Sequence, residues 1–281
     1  MSHAAVPDVP VPDEDELSVA GTWLGPGKQV RAMHAWPDPP VPVAWVTSDP
    51  RPVPGLKWAG LSRAAARTGL QPILLAGLGG ATTRPWDEEE FGEPENPAAI
   101  DTVDAETVLR ECWEGASPDD EQFEGESPEW VADYLSKFEP YGAEFPGLAP
   151  ASAEPEDEPR LERALGQLVP DARIGLVPAA RPADVLARLG WLGATNQGFA
   201  TPEVCAVLRS WEDRFGARLL EVGFAAVRLV VSRPPRTRAA ALPIAAEHQA
   251  FASECARMGL THISLIADAL VDSPFWDFWW D

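Results

Sequence analysis

The sequence predicts an α/β or α+β fold: a mixed β-sheet with helices packed on it and an acidic helical segment in the middle. Three observations carry this. Thr201 to Gly216, TPEVCAVLRSWEDRFG, places Val204, Val207, Leu208, Trp211 and Phe215 on one stripe of a helix. Ala225 to Val231 alternates, with Ala225, Val227, Leu229 and Val231 against Ala226, Arg228 and Val230, the two-residue period of a strand. Between Val41 and Ala76 a strand, a helix and a strand follow one another, the pattern of a parallel crossover unit.

Taken in order, residues 1–16 form an acidic, proline-punctuated lead-in too polar to fold. Residues 17–149 form an N-terminal α/β region with acidic helices. Gly27 to Met33 and Val41 to Thr47 read as strands, and Gly25-Pro26-Gly27-Lys28 as a turn. In PGLKWAGLSRAAARTG, Trp58, Leu61, Ala65 and Thr68 share a helical face that Gly69 ends, and Pro72 to Ala76 is a buried strand. Arg84 to Pro97 is a charged loop. Asp104 caps a helix with Val108, Leu109, Cys112 and Trp113 inward; after a second acidic loop, Ser127 and Pro128 open another with Trp130, Val131, Tyr134, Leu135 and Phe138 inward.

Residues 150–159, PASAEPEDEP, are the linker, and residues 160–281 the C-terminal module. In the module Arg173 to Val177 is a strand and Pro182 to Leu189 a short helix. Thr201 caps the helix that Gly216 ends, and two strands follow, Arg218 to Val222 and Ala225 to Val231. Leu242 to Cys255 and Ile263 to Leu270 are helices. Phe275 to Trp280 is a terminal strand with Trp276, Phe278 and Trp280 on one side; since Phe275 and Trp279 face the other way, it is expected to be central or well covered.

Charge is unevenly distributed. Of the formal −22, the whole falls between Asp87 and Glu158, where 24 acids stand against Arg110 and Lys137; the remainder holds 20 acids and 20 bases. Binding to nucleic acid through phosphates has no electrostatic support in this balance. The longest apolar runs fall short of a membrane span, and the N-terminus lacks the pattern of a secretory signal. Three widely spaced cysteines, Cys112, Cys205 and Cys255, fit reduced thiols in a cytoplasmic protein.

Motifs that dictate a reaction are missing. Gly77-Leu78-Gly79-Gly80 lacks the third glycine and the helix of a dinucleotide loop, and Gln29 stands where a phosphate loop needs Ser or Thr. With four histidines, one in the lead-in, no metal site is expected, and no cofactor is called for. The polar constellation that remains is Glu247, His248 and Cys255. On one helix His248 and Cys255 stand about 10 Å apart along the axis, at about 1.5 Å per residue, too far for a thiol–imidazole dyad. Trp276, Trp279 and Trp280 are either core residues or a stacking and anchoring surface.

Several phrases of the second half carry a resemblance: SWEDRFGARLLEVGF, RLVVSRPP, AAEHQAF and the terminal FWDFWWD, with FPGLAPA at Phe145 to Ala151 and RIGLVPAARPADVLARLGW at Arg173 to Trp191. They resemble the bacterial domain-of-unknown-function family numbered 4253, over about residues 145–281. One stretch departs from it: ASECARMG follows AAEHQAF where the family has an aromatic-rich segment with a Cys-Pro-Asp phrase. The resemblance implies fold and extent, and no catalytic residues.

The sequence is therefore read as a non-catalytic protein that binds another macromolecule, an inhibitor or immunity-like protein with a basic protein as partner. Glu106 and Glu111 on one acidic helix, and Glu129 and Asp133 on the other, supply its contacts. The alternative is a small-molecule hydrolase with Glu247 and His248 in a Trp-lined cleft.

Overall fold

An antiparallel ribbon opens the computed structural model, which describes residues 9–33, 38–78, 83–116, 125–168, 171–252 and 262–280. Strand β1 (Glu16–Val19) turns into β2 (Thr22–Ala32), which pairs with β3 (Val41–Thr47). The expected turn at Gly25 to Lys28 lies inside β2. A bulge at Leu24 and Gly25 lets the strand continue with Gly25 at φ 78°. Gly27 is required by packing, since a Cβ there would stand 2.2 Å from the Trp45 ring.

A short β4 (Arg51–Pro52) precedes α1 (Pro54–Thr68), whose end is Gly69 in the left-handed region, and β5 (Leu70–Leu75). The expected charged loop after Arg84 is anchored to the core by Trp86 and Phe91, both buried. Helix α2 (Ala105–Ala116) starts where expected, with Asp104 accepting the Thr107 N–H at 2.8 Å. Helix α3 (Pro128–Ser136) is capped by Ser127 but buries none of its own residues. Trp130 and Leu135, expected inward, are 44% and 45% exposed, and the anchoring aromatic is Phe138, just past the helix end.

Helix α4 (Glu158–Gly166), β6 (Asp171–Ala172), β7 (Ile174–Pro178) and α5 (Val185–Leu189) lead to α6 (Thr201–Phe215). Thr201 does not cap α6. It is the first helical residue, its hydroxyl donates to the Trp191 carbonyl at 2.9 Å, and the Glu203 carboxylate takes the Ala200 N–H at 2.8 Å. Then come β8 (Ala217–Val222), β9 (Ala226–Val231), α7 (Arg238–Phe251), α8 (Ile263–Leu270) and β10 (Phe275–Trp279). Helix α7 starts earlier than expected, from a Thr237 cap, so Pro243 lies inside it.

The strands form one mixed sheet in the order β1-β2-β3-β7-β5-β8-β9-β10, with β5 and β8 parallel and the other neighbours antiparallel; β4 and β6 pair apart from it. The crossover expected between β3 and β5 is split. Both run antiparallel to β7, hence alike in direction, but β7 lies between them. Every residue of β7 is buried, as a strand with neighbours on both edges and helices over both faces demands. Residues 150–159 thus connect segments whose strands share one sheet. That stretch is itself tied down: Ser152 N–H donates to the Arg214 carbonyl, and the Asp157 carboxylate accepts the Arg160 N–H that opens α4.

Each face of the sheet carries its own core. On one, α1 and α4 bring Trp58, Leu61, Leu161 and Leu165 onto Trp45, Leu74, Leu176 and Leu220. On the other, α2, α5, α6, α7 and α8 cover Val46, Ile73, Leu219, Leu229 and the inner residues of β10. Strand β10, expected to be central or well covered, is an edge strand whose outer face is partly covered. Trp276 and Phe278 are buried beneath the helices, while Phe275, Asp277 and Trp279 are half-buried, with Asp277 bound to Arg228 at 2.7 Å. Among the described residues no helix is long and apolar enough to cross a membrane.

Candidate functional site

Glu247 and His248 lie at the centre of the second core. Glu247 is fully buried and its carboxylate is saturated. It accepts from Ala149 N–H at 2.6 Å, from the Trp211 indole at 2.7 Å, and from both terminal nitrogens of Arg214 at 2.7 Å. A buried carboxylate needs this: removal from water costs several kcal/mol unless a geometrically matched cation and further donors replace the solvent. Arg214 also donates to the Ala149 carbonyl and to Ser210. The pair clamps the chain at residue 149 to α6 and α7.

His248 faces Trp211, Trp276 and Phe278, with ring centroids at 5.1, 4.7 and 4.7 Å. Burial among these rings lowers its pKa to about 3, so the ring is neutral, and its Nε2 has no hydrogen-bond partner among the described residues. Three surface clefts of about 380, 280 and 240 Å³ are lined by neither Glu247 nor His248. The two adjacent residues do structural work in the core. Cys255 lies outside the described residues. Burial pushes the other two thiols up, Cys112 to about 11 and Cys205 to about 12, away from nucleophilic thiolate character.

The tryptophans act largely as pins. Trp45, Trp58, Trp86, Trp113, Trp191 and Trp280 are buried, and each donates its indole N–H to a backbone carbonyl, as an apolar ring with one polar handle requires. Of the C-terminal three, Trp276 and Trp280 are core, 1% and 2% exposed, and Trp279 is half-buried at the surface.

The acidic helices present a different picture. Glu106 on α2 pairs with Arg110 at 2.8 Å. Glu111 on the same helix, and Glu129 and Asp133 on α3, are exposed and form no ion pair among the described residues. Between them stands the apolar side of α3, where Trp130 stacks on Tyr134 at 5.3 Å. Below α3 is the largest of the three clefts. Its walls come from α2, from the turn at Phe199, from the end of α7 and from β10, with Cys112, Tyr134, Phe199, Phe251, Trp279 and Trp280 among the lining residues.

Two participants escaped the reading of the sequence. Arg214 lies off the apolar stripe of α6, yet it sits three residues after Trp211 and both reach Glu247. That spacing beside an apolar stripe is the available signal, but it does not say which acid answers. The cleft under α3 joins elements distant in sequence and leaves no local trace.

Residues 173–281 match the family model of a domain of unknown function, DUF4253. The matched segment begins just before β7 and contains β8, β9, β10 and the helices of the Glu247 core, whereas α1, β5, α2 and α3 precede it. No curated protein and no solved structure matches the chain.

Proposed function

We propose that the protein is a non-catalytic binder of another macromolecule, an inhibitor or immunity-like protein whose partner is basic, and that α3 with the adjoining part of α2 is its contact surface. The observation that carries this reading is the composition of α3. Trp130 and Leu135, each close to half exposed, stand among Glu129 and Asp133, which no base of the described chain neutralises. An aromatic and an aliphatic anchor inside an anionic rim is the anatomy of a protein-binding patch. Such a field speeds encounter with a cationic partner. The hydrolase alternative has less support: the carboxylate of Glu247 is spent on Arg214 and Trp211, and His248 is enclosed by aromatic rings.

The test is capture of a partner from the source cell by the immobilised chain, followed by binding kinetics at low and high salt. The association rate is expected to fall as salt shortens the reach of the charges to about 8 Å at physiological ionic strength. With Glu129→Lys and Asp133→Lys it is expected to fall further while dissociation changes less. A rate indifferent to both salt and charge reversal would defeat the proposal.

A further inference from the structure

We propose that the outer face of α1 and α4 is a second contact surface, and that the α2–α3 face of another copy of the chain occupies it, so that copies associate head to tail. The inference rests on the reading of α2 and α3 as a contact surface and names a partner for it. The first observation is charge. Helix α1 carries Lys57, Arg63 and Arg67 and no acid, and α4 adds Arg160 and Arg163 against Glu158 and Glu162. Arg63 pairs with Glu162 and Arg160 with Asp272, whereas Lys57, Arg67 and Arg163 have no ion pair among the described residues. Helices α2 and α3 are the inverse: Glu106, Glu111, Glu114, Glu129 and Asp133 stand against Arg110 alone. In a chain of formal charge −22, a face with bases left over is the exception.

The second observation is apolar exposure beside those bases. Leu56, Gly60, Arg63 and Arg67 fall at i, i+4, i+7 and i+11, one stripe of α1 turned away from the Trp58 and Leu61 core. Leu56 is 43% exposed and Val53, at the cap of the helix, 51%. Val53 stands at φ 44°, a left-handed conformation that strains a β-branched residue. A Cβ on Gly166 would lie 3.9 Å from Leu56, so the end of α4 adjoins this patch, with Arg163 one turn back. The plan repeats that of α3, where Trp130 and Leu135 are exposed among Glu129 and Asp133, with the sign of the charges reversed. The third observation is placement. Helices α1 and α4 cover one face of the sheet and α2 the other, so one copy cannot join its own two patches. Two copies can, and each pairing leaves one patch of either kind open. Such a contact is heterologous, and growth passes beyond the dimer. At about 1.5 Å per residue α1 runs roughly 22 Å and α3 roughly 14 Å, which places the contact in the small, transient class below about 1,200 Å².

The experiment is sedimentation velocity of the full chain at about 0.15 M salt, where screening confines the charges to about 8 Å and removes most of the long-range repulsion between two copies of charge −22. The expected result is an average mass that rises with concentration and passes that of a dimer. Two double variants are compared, Glu129→Lys with Asp133→Lys, and Lys57→Glu with Arg67→Glu; none of the four side chains has an ion pair to lose among the described residues. Each variant alone is expected to associate at least about ten-fold more weakly than the parent chain, because like charges then meet at the contact. An equimolar mixture of the two is expected to recover association, since the native α1 face of the first meets the native α3 face of the second. A folding defect would give no such rescue. A monomer at every concentration, association indifferent to the α1 substitutions, or a mixture no heavier than its parts would overturn the proposal. If Glu129→Lys and Asp133→Lys slow binding of a captured basic protein while the α1 substitutions leave the average mass unchanged, the head-to-tail contact fails and the α3 surface stands. If they alter neither that binding nor the mass, both fail.

Discussion

The carboxylates at the two ends of the acidic segment and those at its centre share a chemistry and differ in what surrounds them. At the ends, arginines and a lysine from outside the segment reach in. Arg173 and Lys28 hold Asp87, Arg209 holds Asp101, Arg233 faces Glu156, Arg236 faces Asp157, and Arg218 faces Glu158. Partial burial opposes the charge on Asp87, but hydrogen bonds from Arg173 and Lys28 outweigh it and hold its carboxyl below the usual range. At the centre, Glu111, Glu129 and Asp133 receive no such partner among the described residues. A net charge of −22 and a neutral remainder are therefore not two separate electrostatic bodies. Five arginines and Lys28 of the remainder are spent on the ends of the segment, and Glu111, Glu129 and Asp133 on α2 and α3 are left without such a base among the described residues.

The contrast is broken most severely at its buried extreme. Glu247→Ala strands Arg214 and the Trp211 indole without an acceptor, and is expected to cost about 3–5 kcal/mol, measured by urea unfolding. A loss under about 1 kcal/mol would mean that solvent reaches the pair.

His248 gives the buried group a pH signature. Its ring is neutral in the fold down to a pKa of about 3, whereas the unfolded chain takes up the proton below about 6.5. The unfolded state then binds more protons, so stability falls as pH drops from 6.5 toward 3. At about 1.36 kcal/mol per unit, the loss reaches about 2 kcal/mol at pH 5. His248→Leu is expected to remove this part of the acid slope, read as the difference in unfolding free energy between pH 8 and pH 5. Identical slopes in the two proteins would mean that His248 carries charge in the folded state.

Smaller effects lie at the surface. Asp101→Ala breaks a pair whose acidic member is mostly in water, and is expected to cost at most about 1 kcal/mol. Glu129→Lys and Asp133→Lys, with no ion pair to lose, are expected to leave the melting temperature unchanged while altering association. A large destabilisation by either would place these side chains in the first group rather than the second.

Much of the fold was legible because periodicity is local. The stripe from Val204 to Phe215, the alternation of Val227, Leu229 and Val231, and the glycines at 69, 190 and 216 each mark an element within a few residues of its position. Three features escaped for one reason, that they depend on pairings across the chain. The insertion of β7 between β3 and β5 leaves the helix pattern of α1 unchanged. The edge position of β10 is invisible because its outward residues, Phe275 and Trp279, are aromatic and half-buried rather than polar. The helical spacing of Trp130 and Leu135 reads as a buried stripe, whereas the fold leaves these two nearly half exposed and buries Phe138 beyond them. Glu247 and His248 stood out as an acid beside a base, but adjacency cannot report that Arg214 and three aromatic rings have already claimed them.

The placement of β7 sets an order of events during synthesis. β3 and β5 leave the ribosome about a hundred residues ahead of it, and at about 5–20 residues per second they wait roughly 5–20 s with facing edges unpaired. β5 also waits for β8 on its other side. The nascent N-terminal half thus displays open hydrogen-bonding edges of apolar strands, the condition under which chains pair with the wrong neighbour. The reverse holds for a fragment beginning at residue 173: it would carry β7 stripped on both sides and β8 stripped on one, so each half of this chain holds the strands that keep the other from aggregating.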